Sequence, residues 1–175
     1  MDATDLLSDL TVQELRRNLL YNPDTGEWIW LISQSNFIQA GRRAGNIVGG
    51  GYLQIRFKGV GYYSARLAWF YMTGEWPTDQ IDHINRDRLD DRWINLRQAT
   101  FGQNQANTGI PSNNTSGYKG VSWRKQSNKW EARVNNIYLG MFESIEDAKK
   151  ARDDFVIKMH DEFAVTNIEL KGSKS

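Results

Sequence analysis

The segment Ile81-Asp82-His83-Ile84-Asn85 sets a carboxylate beside an imidazole, the side chain best suited to moving protons near neutral pH. Taken alone, such a pair is more often a surface turn or a satisfied hydrogen bond than a reaction centre. Its weight comes from the continuation RDRLDDRWINLRQATFGQNQAN. There Asn95 precedes a short strand-like run, and Asn104 falls in the first turns of a helix that Thr100 caps with Gln103 at the box position. A strand, a loop leading to a second short strand, and a helix could carry Asp82, His83 and Asn104 to one place. The chain of 175 residues has no cysteine and two histidines, which removes thiol nucleophiles, disulfide frameworks and thiolate zinc sites. Any metal would sit largely on oxygen ligands.

A second group of residues suits binding rather than reaction. In Lys129 to Asn135 the residues Trp130, Ala132 and Val134 alternate with Lys129, Glu131, Arg133 and Asn135, the pattern of a strand with one core face and one wet face. Val121 and Trp123 alternate likewise with Ser122 and Arg124, and the two tryptophans read as packing residues. The wet face then carries Lys119, Arg124, Lys125, Lys129 and Arg133 against the single acid Glu131, a surface suited to phosphates and a DNA groove.

The surrounding elements follow from periodicity and turn chemistry. Leu6, Leu7, Leu10, Leu15 and Leu19 have helical spacing, and Thr11 with Glu14 can start a new helix. Tyr21 to Gly26 (YNPDTG) is a turn, followed by a strand over 27–32. Seven glycines between Gly41 and Gly61 surround the alternating run Tyr52 to Lys58, which predicts a hairpin with tight turns. Ser64 to Thr73 is a helix that Gly74 stops. Ile110 to Gly117 has linker composition. Strands are expected over 118–124, 130–135 and 137–142, and a helix from Ser144 with the stripe Ala148, Ala151, Phe155 and Met159. His160, beside Asp161 and Glu162, reads as a cation at that helix's C-terminus.

Composition bounds the class. Lys plus Arg total 22 and Asp plus Glu 21, a formal charge of +1 that neither points to nucleic acid nor excludes it. The near-neutral sum hides segregation, because Arg42, Arg43, Arg56, Lys58 and Arg66 face only Glu75 between Gly41 and Trp76, while the first segment and the last helix are acidic. No apolar run is long enough to span a membrane, and MDATDLLSDL lacks a basic-then-apolar leader, so the expectation is a soluble cytoplasmic protein.

From about Tyr21 to Asn107 the chain resembles the HNH endonucleases of phage and intron origin, through TGEWIW, the glycine-rich hairpin, RLAW and the DHIN…NL…QN core. The resemblance implies an α+β fold with a ββα-metal nuclease domain preceded by a β-hairpin region. It implies that His83 is the general base, that Asp82 and Asn104 hold one divalent metal, and that Asn95 orients the loop or the histidine. One carboxylate and one amide oxygen make a hard site that suits Mg²⁺ or Mn²⁺ better than zinc. From about Asn113 to Asn167, through YKGV, KWEARV and YLGMF, the chain resembles the plant APETALA and ethylene-response-factor DNA-binding domain, a three-stranded sheet on one helix. That likeness points to Lys119, Ser122, Arg124, Arg133, Asn135 and Tyr138 as contacts, with Lys125 and Lys129 on the same basic surface.

The expected organisation is a helical segment over 1–20, a nuclease domain over 21–109, a linker over 110–117, a sheet-plus-helix domain over 118–167 and a tail over 168–175. The resemblance implies a free-standing phage homing endonuclease acting on double-stranded DNA in the host cytoplasm. A non-catalytic DNA-binding regulator and a phage nucleoprotein factor are the competing readings. No protein partner can be named from the sequence.

Overall fold

Thr11 accepts a hydrogen bond from the Glu14 N–H and starts helix α1, Val12–Asn18, as the box spacing predicts. The structure, a computed structural model, describes residues 10–160 and 163–172; Leu6, Leu7, Asp161 and Glu162 lie outside them. The chain divides into two compact units, Met1–Ala99 and Thr100–Ser175.

In the first unit α1 ends one residue before Leu19, which opens strand β1, Leu19–Tyr21, instead of continuing the helix. The Pro23–Gly26 turn returns the chain as β2, Trp28–Trp30, paired antiparallel to β1. An antiparallel sheet follows, of β3, Asn46–Val48, β4, Tyr52–Phe57, and β5, Val60–Tyr63, in that order. Helix α2, Ser64–Thr73, then ends at Gly74, whose positive φ of 83° closes its last turn. The last pair of strands is β6, Gln80–His83, and β7, Leu96–Ala99.

One core holds these pieces together. Leu15, Leu19 and Trp28 are fully buried there with Ile55, Leu67 and Ala68. The Trp28 indole N–H donates to Ser64 Oγ at 3.0 Å, and its ring meets Tyr21 at 4.8 Å and Tyr71 at 5.5 Å. An indole buried without a partner for its N–H would lose a hydrogen bond to water, so Ser64 makes this burial possible. Leu10, Leu15 and Leu19 are therefore part of the same core as the strands that follow.

The second unit opens with α3, Phe101–Asn107, whose Thr100–Gln103 capping box is complete. Strands β8, Val121–Arg124, β9, Lys129–Val134, and β10, Ile137–Phe142, form an antiparallel sheet with β9 central. Helix α4, Ile145–His160, packs on it through Ala148 and Val156. Its first turn is capped by Ser144 Oγ, which accepts from the Asp147 N–H at 3.1 Å.

The units part between Ala99 and Thr100, ahead of the linker expected over 110–117. Those residues form hydrogen-bonded turns within the second unit, with Asn114 Oδ1 accepting from the Gly117 N–H at 2.7 Å. The expected helix stripe is also displaced. Met159 is 55% exposed, and the buried residue one turn after Ala148 is Arg152. Arg152 Nη1 reaches Asp153 at 2.9 Å and the Val165 carbonyl at 2.7 Å, while Asp153 accepts from Asn167. This network anchors α5, Asn167–Gly172, with Leu170 buried, so the segment expected as a tail begins as a packed helix. The His160 side chain is not among those described.

Removing the Leu15 side chain should destabilise the first unit by about 2–5 kcal/mol, the range for a buried leucine replaced by alanine. Urea unfolding of Leu15→Ala checks this; a change under about 1 kcal/mol would mean the N-terminal helix is an appendage, since surface substitutions fall there.

Candidate active site

Strands β6 and β7 pair in register, Asp82 opposite Arg97 and His83 opposite Leu96, and present the loop 84–95 at one end. A loop of this length needs internal hydrogen bonds to hold one shape, and Asn95 supplies the central ones. Its Oδ1 accepts from the Asn85 N–H at 3.0 Å; its Nδ2 donates to Asn85 Oδ1 at 3.0 Å and to the Asp90 carbonyl at 2.7 Å. The Asn95 carbonyl also accepts from the Ile84 N–H. These bonds are to the loop. Asp90, at the rim, accepts from Arg92, and that hydrogen bond is the main cause lowering its carboxyl from the usual value to about 2. Asp90 thus stays ionised, in its pair with Arg92, across the physiological range.

His83 and Asp82 are both buried, 5% and 4% exposed. Asp82 Oδ2 accepts from Arg97 Nε at 2.9 Å, which balances its charge across the strand pair. His83 Nε2 lies 2.9 Å from Oδ1 of Asp91. Asp91 is 1% exposed, and its Oδ2 is buried without a hydrogen-bond partner among the described residues. An unsatisfied buried carboxylate oxygen is costly, and such atoms in folded proteins call for an explanation beyond packing. The pattern of the sequence placed Asp91 in a run of charged loop residues, and no spacing rule singled it out. The one available signal was that a histidine competent in proton transfer needs something to fix its ring, and loop carboxylates are the usual candidates.

The Asp91 backbone is fixed from the N-terminal side. The Tyr21 hydroxyl donates to the Asp91 carbonyl at 2.6 Å, and the Trp93 N–H donates to the Pro23 carbonyl at 2.8 Å. At Gly26 a Cβ would lie 2.6 Å from the Asp91 carbonyl carbon and 2.7 Å from the Arg92 nitrogen, so the turn can press on the loop only without a side chain. Burial first, and then the carboxylates of Asp91 and Asp90, push the Tyr21 phenol well above its ordinary value, so it remains a donor. On the other side Arg88 Nη1 donates to the Gly50 carbonyl at 2.6 Å and its guanidinium lies 5.0 Å from the Tyr52 ring centroid.

Asn104 lies on α3, half-buried, and belongs to the second unit. Among the described residues no three of His, Asp and Glu gather as a metal-holding group. The donors that sequence singled out are a carboxylate oxygen and an amide oxygen, hard ligands whose chemistry fits Mg²⁺ or Mn²⁺.

The sheet of the second unit is more ordered electrostatically than its composition suggests. Glu131 is buried, and its Oε1 accepts from Arg124 Nη2 and from Arg133 Nε, each at 2.6 Å. The Arg124 hydrogen bond is the first cause holding the Glu131 carboxyl below its usual range. Arg133 also lies 5.6 Å from the Tyr138 ring centroid, Lys129 pairs with Glu143, and Lys125 and Asn135 are exposed. Ser122 stands opposite Glu131. Trp130 packs in the core, whereas Trp123, expected there too, is 40% exposed against its edge. Lys119 has a different position from the one expected: its ammonium donates to the carbonyls of Gln105, Ala106 and Thr108 and so closes the end of α3.

No helix among the described residues is long and apolar enough to cross a membrane. The chain is similar to Protein 3.8 of Escherichia phage T7, 44% identical over 54 residues, which is 31% of this chain and 45% of that protein. The match therefore spans less than half of the relative's length. Residues 62–106, which run from the end of β5 through His83, Asp91 and Asn95 to α3, match the family described as HNH endonuclease.

Proposed function

We propose that the chain is a metal-dependent endonuclease that hydrolyses phosphodiester bonds in double-stranded DNA, of the free-standing phage homing type. The observation that supports this most is the buried His83–Asp91 pair inside the segment that matches the HNH endonucleases. A carboxylate is an acceptor only, so Asp91 keeps the proton on Nε2 and the basic lone pair on Nδ1 of the same ring. His83 is then a general base held in one tautomer and one orientation. It takes a proton from the attacking water as the new P–O bond forms, and the bond to the leaving 3′-oxygen breaks to give 5′-phosphate and 3′-hydroxyl ends. Asn95 holds the loop that carries Asp91. Asp82 and Asn104 would hold a divalent cation, Mg²⁺ or Mn²⁺, which when bound supplies positive charge for the phosphate oxygens.

In this reading the second unit is the DNA-targeting module, similar to the plant APETALA-type domain. Its reading face is Ser122, Arg124, Lys125, Lys129, Arg133, Asn135 and Tyr138; Lys119 braces the fold instead. Glu131 fixes the two guanidinium groups side by side, so that they meet DNA already ordered.

His83→Ala should lower plasmid cleavage by about 10²–10⁴-fold while DNA affinity is kept, the usual contribution of a general base. Equal nicking by variant and wild type would refute the assignment. Asp91→Ala should lower the rate at saturating DNA by about tenfold or more with little change in half-saturation, because it removes orientation rather than binding. Chelation with EDTA should stop cleavage and added Mg²⁺ restore it, read in the same gel assay.

A further inference from the structure

Away from the β6–β7 loop, the first unit has a cavity of about 240 Å³ walled by Trp30, Phe37, Arg42, Arg43, Asn46 and Arg56. Three guanidinium groups share it. Arg43 has a loose exposed pair with Glu27 at 3.4 Å, while the side chains of Arg42 and Arg56 have no hydrogen-bond or ion-pair partner among the described residues. Like charges that converge repel one another, and among the described residues Glu27 is the one carboxylate paired with any of the three.

The cavity is built on rigid backbone. Residues 41–44 lie alongside β2, with the Gly41 N–H on the Trp30 carbonyl at 2.7 Å, the Trp30 N–H on the Arg42 carbonyl at 2.9 Å, and the Ala44 N–H on the Trp28 carbonyl at 2.7 Å. Arg56 stands on β4 between the buried Ile55 and Phe57. At the rim Phe37 is 89% exposed. Its loop is closed by the Gln34 N–H on the Ile38 carbonyl at 2.8 Å and by the Ala40 N–H on Ser33 Oγ at 3.0 Å, and Ile38 packs against the core. A hydrogen-bonded loop that packs one apolar residue, half-buried, against the core and leaves a neighbouring aromatic ring in water is presenting that ring.

We propose that this cavity is a second nucleic-acid contact, in which Arg42 and Arg56 bind phosphate oxygens and Phe37 stacks on an unpaired base. The inference takes its ligand class from the proposed function but none of its support from the cleavage motif. Guanidinium forks match phosphate oxygens in pairs, and an aromatic face accepts any base. The volume lies below that of pockets enclosing drug-sized ligands, so the site suits one backbone phosphate and its neighbourhood along an extended strand.

The test uses the full chain in EDTA, with fluorescence anisotropy on a blunt duplex and on the same duplex carrying a short single-stranded overhang, across a series of KCl concentrations. The double variant Arg42→Gln, Arg56→Gln should flatten the slope of log affinity against log salt by about 1.8, the loss of two phosphate contacts at roughly 0.9 each. Phe37→Ala should leave that slope alone and weaken overhang binding by about 5- to 150-fold, as loss of one stacked base does, and Phe37→Trp should restore it. Unaltered melting temperatures establish that each variant is folded. If the arginine variant keeps both slope and affinity while wild type still cleaves with Mg²⁺, this site is overturned and the proposed function stands. If wild type binds neither DNA, both fall. Displacement of overhang DNA by polyglutamate as readily as by single-stranded DNA overturns the site in favour of an acidic protein ligand.

Discussion

The contact on which the first unit depends is the pressing of the Tyr21–Gly26 turn against the backbone of Asp91 and Arg92. Tyr21 supplies a buried hydroxyl, Pro23 a carbonyl, and Gly26 the missing side chain that allows the approach. Without that contact the loop 84–95 would still have its Asn95 hydrogen bonds, but nothing would drive the Asp91 carboxylate into the interior beside His83. Burying a carboxylate is unfavourable by itself, and the histidine satisfies only one of its oxygens. The cost is carried by the core around Leu15, Leu19 and Trp28, to which Tyr21 belongs. Core packing and site geometry are here a single construction.

Local rules were enough for much of this. The Thr100–Gln103 box, the Ser64–Thr73 helix with its Gly74 stop, the Thr11 cap and the three strands of the second unit are each written in a few adjacent residues, because the forces that form them act over a few residues. The strand–loop–strand path that carries Asp82, His83 and Asn95 was also legible, since motif spacing reports such a path directly. Asp91 was not: its neighbours in sequence are Asp90 and Arg92, an ion pair, and its burial is decided by Tyr21, seventy residues away in the chain. Leu19 likewise had helical spacing but was claimed by pairing with Trp30. Periodicity weighs apolar positions and cannot register a strand partner or a polar network. The same blindness explains Arg152, which counted as a solvated charge on α4 yet is 2% exposed, its guanidinium enclosed by Asp153 and Val165.

The near-zero net charge acquires a structural meaning as well. Cations differ here in what holds them. Lys119 closes the end of α3, Arg97 balances Asp82, and Arg66 binds the carbonyls of Pro77 and Asp79, so these are internal fittings. Arg124 and Arg133 are held by Glu131 but remain half open to solvent, and Arg42 and Arg56 have no ion-pair partner among the described residues. A sum over the sequence treats all of these alike. Only the last two groups project a field that a polyanion would meet.

The Gly26 approach also bears on how the matched segment could be moved or trimmed. The family match begins at residue 62, which suggests a portable cassette of some forty-five residues. Yet the surface that seats Asp91 is made from Tyr21, Pro23 and Gly26, well upstream of that boundary. The smallest transplantable piece is therefore longer than the recognisable motif. A gene fusion or recombination event that joined the motif to another protein at its own edge would transfer every signature residue and leave behind the wall that orients them.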